Sequence, residues 1–360
     1  MKTFEELFVD KTKYGAKVQT SEYKENGAHI IIDQGQSQIA GYTDRENGLF
    51  EEVPAIIFGD HTRVIKYVDE PFFLGADGVK VLRSNDKKAN YKYLYYALKN
   101  VNIPNTGYNR HFKWLKEIKI KYPNNDVQDE IVSILDKVSD LISKRKVELQ
   151  ALDELIKARF VELFGSIHES IEYPYVVVKN LTDVISGGTP NRECAEYWND
   201  GTIPWVKTTE LHNNLINETD EYITEAGLSN SSAKLVPAGT VLIAMYGQGK
   251  TRGMTAYLDI EASTNQACAC ILPSDKINSI FMWKYFQLSY DKLRGLAQGA
   301  GQPNLNGNMI KNFKVLVPPI ELQNTYVDFV TQVDKSKAAV QKALNETQLL
   351  FDLLMQQYFG

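Results

Sequence analysis

The chain contains two segments that align without a gap: PNNDVQDEIVSILDKVSDLISKRKVELQALDELIKARFVELFG (Pro123–Gly165) and PPIELQNTYVDFVTQVDKSKAAVQKALNETQLLFDLLMQQYFG (Pro318–Gly360). Gln128 and Gln323, 195 positions apart, coincide in this alignment, which extends about a dozen residues upstream of each leading proline. A constant offset over such a length indicates two copies of one structural plan.

Each segment is predicted to form one long helix, because apolar residues recur at alternating spacings of three and four. Pro123 cannot continue an earlier helix, and Asn125 or Asp126 can cap the new one. Gly165 supplies a left-handed stop. The apolar row comprises Ile131, Leu135, Val138, Ile142, Leu149, Leu152, Ile156 and Leu163, then Tyr326, Val330, Val333, Val340, Leu344, Phe351, Leu354 and Tyr358. Polar residues interrupt it at Arg145, Arg159, Lys337 and Thr347.

A helix of about 38 residues, rising about 1.5 Å per residue, is near 57 Å long. Its apolar stripe needs a partner, and the other copy is the simplest one, which predicts an antiparallel coiled coil. The alternative is that each helix covers only its own domain. We expect domains at 1–122 and 166–317, with spacer helices at 123–165 and 318–360.

The segments before the helices are predicted to be α+β domains. Each has short β-rich runs separated by Gly, Pro, Asn and Asp, followed by one helical patch, Tyr91–Lys99 or Ile277–Leu293. The predicted strands are His29–Asp33, Ala55–Phe58, Val64–Val68, Val176–Val178, Thr240–Met245 and Cys268–Leu272. The two domains are therefore expected to share a plan and to differ in their loops.

Charge is distributed unevenly along the chain. The net charge is −5, yet the segment from Lys80 to Lys121 has eleven basic residues against two acids, Asp86 and Glu117. One basic surface beside acidic ones suits a protein that contacts phosphate on one face. The alternative is that the lysines between Lys87 and Lys99 only solvate a helix.

Several other classes of protein find no support. The start of the sequence has no signal-peptide core, and no apolar stretch approaches the roughly 20 residues that span a bilayer, so a cytoplasmic protein is expected. Cys194, Cys268 and Cys270 lack the spacing of a disulfide framework or a zinc site. The five histidines (His29, His61, His111, His168, His212) form no metal-binding pair, so no metal site is predicted.

A nucleotide-binding loop is suggested by AMYGQGKT (Ala244–Thr251). A true phosphate loop opens directly into a helix, whereas the residues after Arg252 resemble a turn that returns into a strand. The competing interpretation is a β-hairpin tip carrying Tyr246, Gln248, Lys250 and Arg252. A methyltransferase is not indicated, because the only Pro-Pro pair, Pro318-Pro319, lacks the preceding Asn or Asp and the following aromatic residue.

Longer motifs resemble the DNA-specificity subunits of type I restriction-modification systems. In the second domain these motifs are ISGGTPNRECAEYWNDGTIPWVKTTEL (Ile185–Leu211), LVPAGTVLIAMYGQGKTRG (Leu235–Gly253), STNQACACI (Ser263–Ile271), and GQPNLN followed by VPPIELQ (between Gly301 and Gln323). The first domain is similar less closely, through AIIFGDHTRVIKYVDEPFFLGADGVKVL (Ala55–Leu82) and GYNRHFKWLKEIKI (Gly107–Ile120). The first copy departs from the pattern at its helix start, with Tyr122-Pro123-Asn124 in place of Val317-Pro318-Pro319.

The resemblance implies a non-catalytic subunit with two target-recognition domains. Each domain would bind one half of a bipartite, asymmetric site in double-stranded DNA, and the helices would space the halves. Two methyltransferase subunits would dock on the chain, and restriction subunits would join them. The cofactors S-adenosylmethionine, ATP and Mg would belong to those partners, and none is expected in this chain.

Candidate DNA-binding residues are polar or basic side chains beside glycine-rich turns that follow strands. They are Gln34, Gln36, His61, Arg63, Lys80, Tyr108, Arg110 and His111 in the first domain. In the second they are Thr189, Lys207, Thr208, Thr209, Tyr246, Gln248, Lys250, Arg252, Gln302 and Asn304. The other classes left open are a coiled-coil scaffold that binds protein and a nucleotide hydrolase built on Lys250.

Overall fold

A computed structural model describes residues 1–75, 77–107, 109–247, 249–297 and 304–360. The chain divides into two compact units. Unit 1 comprises Met1–Val147 together with Gln341–Gly360, and unit 2 comprises Glu148–Val340. Each unit therefore contains the start of one long helix and the end of the other.

The described part of unit 1 contains nine short strands and three short α-helices, besides its portions of the long helices. Its strands are β1 (Lys2–Thr3), β2 (Phe8–Asp10), β3 (His29–Ile32), β4 (Gly41–Thr43), β5 (Ala55–Gly59), β6 (Ile65–Val68), β7 (Phe72–Leu74), β8 (Val79–Ser84) and β9 (Lys119–Ile120). Its short helices are α1 (Phe4–Leu7), α2 (Tyr91–Lys99) and α3 (Phe112–Leu115). The first long helix is α4 (Asn125–Phe164).

Unit 2 follows the same order of elements with additional strands. Its strands are β10 (Tyr175–Val177), β11 (Val184–Ser186), β12 (Ile203–Val206), β13 (Asn214–Ile216), β14 (Tyr222–Ile223), β15 (Leu235–Val236), β16 (Val241–Ala244), β17 (Thr255–Leu258), β18 (Ala262–Thr264), β19 (Cys268–Ile271) and β20 (Lys314–Leu316). Its helices are α5 (Val178–Leu181), α6 (Glu225–Ser229), α7 (Ser279–Leu288), α8 (Tyr290–Gly295), α9 (Gly307–Lys311) and the second long helix, α10 (Ile320–Phe359).

The sheets of the two units correspond. Unit 1 has a four-stranded sheet in the order β2-β8-β5-β6 and a three-stranded sheet β4-β3-β7. Unit 2 has a five-stranded sheet β11-β19-β16-β17-β13 and a four-stranded sheet β14-β12-β18-β15. An antiparallel hairpin, β5–β6 or β16–β17, lies in each larger sheet, and a parallel pair, β3 with β7 or β12 with β18, lies in each smaller one. The prediction of two related α+β domains is confirmed.

The two long helices pack antiparallel, as the repeat predicts. In unit 1 the ring of Phe351, near the end of α10, lies 6.1 Å from that of Tyr96, whose hydroxyl donates to Asp136 of α4. In unit 2, Phe160 near the end of α4 lies 5.5 Å from Tyr326 near the start of α10. Gly165 ends α4 with a φ of 75°, the left-handed conformation expected of its position.

The start of α4 differs from the expected cap. Asn124, and neither Asn125 nor Asp126, caps the helix: its side-chain oxygen accepts from the Val127 amide at 3.1 Å. That is the geometry of an N-cap residue three positions before its donor. The helical patch predicted at Ile277–Leu293 is likewise two helices, because α7 ends before Ser289 and α8 begins at Tyr290.

The polar residues that interrupt the apolar rows bind polar groups of the neighbouring helix or of their own. Arg145 donates to the carbonyl oxygen of Ala343, and the Thr347 hydroxyl donates to that same oxygen at 2.7 Å. Lys337 pairs with Asp153, and the Arg159 guanidinium lies 5.6 Å from the Phe329 ring centre. Each break in the pattern therefore makes a contact between, or along, the helices, although the Nε of Arg159 is buried without a hydrogen-bond partner among the described residues.

A buried glutamine attaches each domain to the helix that follows it. Gln128 and Gln323 are 0% and 1% exposed. The Gln323 amide group donates to the Pro318 carbonyl at 2.7 Å, and its oxygen accepts from the Asn278 backbone amide at 2.9 Å. Gln128 makes the equivalent bonds with Pro123 and, at 3.4 Å, with Asn90. Since Asn90 and Asn278 cap α2 and α7, each glutamine joins the cap of a domain helix to the first turn of a spacer helix.

The described part of the chain contains no helix long and apolar enough to cross a membrane. Cys268 and Cys270 are buried in β19, where burial raises the pKa of both thiols, that of Cys270 to about 11. They are apolar packing residues in the core of unit 2, as their spacing suggests.

Replacing Gln323 with Leu is expected to destabilise unit 2. The change leaves the Asn278 amide and the Pro318 carbonyl buried without partners, at a cost of about 2 kcal/mol. Thermal unfolding should move down by about 4 to 8 °C for a unit of this size. Gln332→Leu, at an exposed position of the same helix, is the control and should change stability by less than about 0.5 kcal/mol. Equal melting of the two variants would contradict the role given to Gln323.

Candidate functional site

Loops that follow the strands gather at one edge of each unit, held by the same three backbone hydrogen bonds. In unit 1 the Asp60 amide donates to Gly78 (2.7 Å), His111 donates to Asp60 (2.8 Å), and Arg63 donates to Gly59 (2.7 Å). In unit 2 the matching bonds run from Met245 to Ala267 (2.8 Å), Leu305 to Met245 (3.0 Å), and Gly253 to Ala244 (2.9 Å). In each unit these bonds join three segments. They are the β5–β6 or β16–β17 hairpin, the β7–β8 or β18–β19 turn, and the segment before α3 or α9. We call the place where they meet the loop edge.

Asp60 is the centre of the loop edge in unit 1, and the sequence patterns gave no sign of it. Its side chain is almost fully buried, and its carboxylate accepts from the Phe112 amide at 2.8 Å. Its backbone oxygen accepts from Nδ1 of His111 at 3.0 Å as well as from the His111 amide. One residue of the β5–β6 hairpin therefore holds the whole segment that leads into α3.

Gln34 joins two more loops to this centre. Its side-chain oxygen accepts from the His61 amide at 3.1 Å, and its amide group donates to the Asp77 carbonyl at 2.9 Å. Its own carbonyl accepts from the Thr62 hydroxyl at 2.6 Å. The loop after β3, the hairpin tip and the β7–β8 turn are thus connected by one side chain, so Gln34 positions the edge from within.

The hairpin interpretation of residues 244–251 is confirmed, and the nucleotide-binding loop is wrong. Strands β16 and β17 pair antiparallel with Ile243 opposite Thr255, and no helix begins in the described residues between them. A phosphate loop needs the backbone amides of a helix N-terminus at that point. Without such a helix, Lys250 has no phosphate-binding frame of this kind and stands exposed on a hairpin.

Helix α8 holds the tip of this hairpin in place. The Tyr290 hydroxyl donates to the Lys250 carbonyl at 2.7 Å, and the Arg294 guanidinium donates to the Arg252 carbonyl at 2.7 Å. Arg294 also donates to the Tyr290 oxygen at 3.0 Å. The Nε of Arg252 is buried without a hydrogen-bond partner among the described residues. The backbone at Lys250 and Arg252 is therefore fixed by α8, while the Nε donor of Arg252 has no partner among the described residues.

The turn between β18 and β19 contributes Gln266, which sequence analysis overlooked. It is exposed, and its side-chain oxygen accepts from the hydroxyl of Thr189, one of the predicted residues. Gly187 lies against this turn so closely that a Cβ there would be 2.1 Å from Oγ1 of Thr264. The glycine therefore allows the loop after β11 to approach the turn.

Three predicted DNA ligands are occupied by internal contacts. Lys80 lies 3.3 Å from Oδ2 of Asp10, Lys207 donates to Glu221 at 2.8 Å, and His111 is fully buried. The hydrogen bond to Glu221 raises the pKa of Lys207. Burial opposes ionisation of Asp10, but bonds from Thr12 and the charge of Lys80 lower its pKa overall. These side chains stabilise the edge. They were selected because they are polar residues beside glycine-rich turns, and the sequence did not reveal their internal partners, which are distant along the chain.

The remaining predicted residues that the structure describes lie at or near the loop edges. Those whose side chains are exposed are Gln36, Arg110, Thr209, Tyr246, Lys250 and Asn304. Those that are half-buried are Gln34, His61, Arg63, Thr189, Thr208 and Arg252. Tyr108, Gln248 and Gln302 lie outside the described residues. The exposed set contains amides, hydroxyls and cations, which can bind base edges or phosphates.

The basic segment of unit 1 separates into two groups. Lys80, Arg83 and Lys92 make internal contacts, Arg83 with the Pro54 carbonyl and Lys92 with Asp136 at 2.6 Å. The exposed cations are Lys87, Lys88, Lys99, Arg110, Lys113, Lys116, Lys119 and Lys121. The described residues contain no group of histidine, cysteine and acidic side chains that could hold a metal ion.

Two solved structures are similar in fold to this chain. The S subunit of a type I restriction-modification system from M. genitalium has a TM-score of 0.64 and 17% identity, over 100% of this chain and 95% of that one. A chain from a structural study of complex assembly and conformational transition in the type I R-M system has a TM-score of 0.56 and 16% identity, over 98% and 94%.

A family model described as the type I restriction modification DNA specificity domain matches residues 2–151 and 172–347. The chain belongs to this family. The EcoR124I/EcoR124II specificity subunit of Escherichia coli is 26% identical over 92% of this chain and 85% of its own length. The MjaIX specificity subunit of Methanocaldococcus jannaschii is 27% identical over 44% of this chain and 37% of its own. The resemblance found in the sequence motifs is confirmed.

Asp60→Ala is expected to loosen the loop edge of unit 1. The Phe112 amide loses its acceptor, which costs about 1 to 3 kcal/mol, whereas Asp60→Asn keeps a side-chain oxygen there and should cost less. Thermal unfolding and limited proteolysis within residues 104–111 measure the two effects. Indistinguishable behaviour of the Ala and Asn variants would show that the carboxylate oxygen does not hold this segment.

Proposed function

We propose that this protein is the non-catalytic DNA sequence-specificity subunit of a type I restriction-modification complex. Each loop edge recognises one half of a bipartite, asymmetric target in double-stranded DNA. The proposal rests on one observation: the loop edges of the two units have equivalent backbone hydrogen bonds but different side chains. His61, Arg63 and Arg110 occupy the edge in unit 1, and Tyr246, Lys250 and Asn304 occupy it in unit 2.

Such an arrangement suits recognition of an asymmetric site. The donor and acceptor pattern in the major groove differs for each base pair, so different side chains on one frame select different sequences. Arginine and lysine can bind guanine, and glutamine or asparagine can bind adenine, whereas threonine and backbone amides more often position phosphate. Two unlike edges would therefore select two unlike half-sites.

The long helices are proposed to space the half-sites and to bind the modification subunits. Forty residues at about 1.5 Å each give about 60 Å, close to the length of 17 base pairs at about 3.4 Å. Leu349, Leu350 and Leu353 are exposed on α10, and apolar area of this kind favours a protein partner over solvent. Two methyltransferase subunits and the restriction subunits would bring S-adenosylmethionine, ATP and Mg.

The same leucines favour the second candidate, a helical scaffold that binds only protein. The two functions differ in their ligand: specific binding of duplex DNA with a steep dependence on salt belongs to the first alone. DNA binding by the complex therefore distinguishes them.

Deleting the gene for this chain is expected to abolish methylation at one split, asymmetric motif. The chain should copurify with a methyltransferase subunit, and genome-wide mapping of methylated adenines with and without it reports both half-sites and the gap between them. Complementation with the intact chain should restore the same motif. No stable complex and an unchanged methylation map would refute the proposal and favour the scaffold.

Arg252→Ala is expected to weaken specific binding by about 1 to 3 kcal/mol and to relax selection at one base pair. Arg252→Lys should recover charge without discrimination, because lysine lacks the two-donor geometry of the guanidinium. Fluorescence anisotropy with the mapped duplex and its single-base variants provides the measurement. Lys335→Ala, at an exposed position of α10, is the control. If both Arg252 variants bind and discriminate like the original chain, this arginine does not contact a base.

A further inference from the structure

A polar groove of about 560 Å³ lies beside the loop edge of unit 1. Its walls come from the tip of the β5–β6 hairpin, the loop after β3 and the last turn of α2 with the residues that follow it. Gln36 and Arg63, both selected from sequence, belong to the loop edge and to the groove. A ligand held at the loop edge would therefore extend over the groove.

The groove is lined by cations and by no acid. Arg63, Lys66 and Lys99 all line it, while no aspartate or glutamate stands among its lining residues in the described chain. Arg63 and Lys99 pair with no carboxylate of the described residues; the Arg63 guanidinium donates to the Ile103 carbonyl at 3.0 Å. Lys66 pairs with Asp33, which is outside the lining, so the charges of Arg63 and Lys99 remain unpaired and give the groove a positive potential.

Lys66 is held in the floor of the groove. Its side chain is almost fully buried, and Nζ donates to the Ser37 carbonyl at 2.5 Å and lies 3.4 Å from Oδ1 of Asp33. Burial lowers the pKa of Lys66, and the charge of Asp33 opposes that effect. Lys99 differs, since it is exposed and its ammonium lies 5.3 Å from the centre of the Tyr95 ring. Its charge is accessible to solvent.

The backbone of Arg63 is the second observation that points to a ligand. Its φ is 61°, in the left-handed region that glycine adopts most easily. The equivalent residue of unit 2 is Gly253, with φ 87° and the same hydrogen bond to the end of the preceding strand. Unit 1 therefore keeps a long cationic side chain at a position whose backbone favours glycine, and backbone strain of this kind is typical of functional sites.

We propose that this groove binds backbone phosphates of DNA next to the half-site that unit 1 recognises. The proposal rests on the proposed function and adds to it a class of contact and its residues. Arg63 and Lys99 neutralise phosphates, and the exposed amides of Gln36 and Asn102 supply further donors. Contacts of this class fix the position of a duplex without selecting its sequence.

The test compares Arg63→Gly with Lys99→Gln, singly and together, in the full chain copurified with its modification subunit. Affinity is measured over a range of salt concentrations, for the mapped duplex and for a scrambled duplex of equal length. Lys13→Gln is the matched control, because Lys13 is an exposed lysine of the same unit outside both the groove and the basic segment. Thermal unfolding of each variant is measured in parallel.

The double variant should bind both duplexes more weakly by the same factor. The slope of log K against log salt should fall in magnitude by about 2, since each phosphate contact contributes about 0.9. Arg63→Gly should unfold at nearly the same temperature as the original chain, because glycine relieves the left-handed backbone while the bond to Ile103 is lost. A structural arginine would give the reverse, a lower melting temperature with unchanged DNA binding.

Three outcomes would overturn the groove assignment. An unchanged salt slope in a chain that binds its target shows that no phosphate lies there. Loss of affinity for the mapped duplex alone shows that Arg63 contacts a base. Binding of inorganic phosphate without DNA, abolished by the double variant at micromolar concentration, assigns the groove to a small anion. Failure of the original complex to bind any duplex would count against the proposed function itself.

Discussion

The core of each unit is completed by the end of a long helix that begins in the other unit. Phe164, at the end of α4, is fully buried in unit 2, where its ring lies 5.4 Å from Phe281 of α7. Phe359, 195 positions later, packs at 5.2 Å against Tyr93 of α2 in unit 1. Since the hydrophobic effect drives both contacts, each core is complete only when the far end of the other helix has arrived. The first long helix therefore ends in unit 2, and the second long helix ends in unit 1.

The attachment of each domain to both long helices explains why residues at the domain–helix junctions repeat while the loop side chains differ. The residues that repeat with a constant offset, Gln128 with Gln323 and Phe164 with Phe359, lie where domain and helix join. At the loop edge only the backbone bonds repeat: Asp60, with a buried carboxylate, corresponds to Met245, a buried apolar residue. At the junction, packing of the domain against the helices restricts which side chains can occupy each position. At the loop edge only the backbone geometry is restricted, so the two units can have different side chains there.

The sequence predicts well those parts of the fold that leave a periodic pattern along a continuous stretch of residues. A period of three and four residues between proline and glycine located both long helices to within two or three residues. Phe160 and Phe164 were absent from the predicted row because they face a domain core instead of only the other helix. The functions of Lys80 and Lys207 depended on Asp10 and Glu221, whose proximity no local pattern reveals. Asp60 was missed for the same reason, since its partners lie about 20 and 50 residues away.

The composition of unit 1 also constrains how the protein is made. Residues 341–360, which complete its core, leave the ribosome roughly 10 to 40 s after residue 147, at about 5 to 20 residues per second. During that interval the apolar face around Leu135, Tyr93 and Tyr96 has no C-terminal helix against it. The core of unit 1 is therefore completed only after residues 341–360 have been synthesised, and translation speed and chaperone protection bear on the yield of folded protein. Unit 2, contiguous from Glu148 to Val340, can complete its core first.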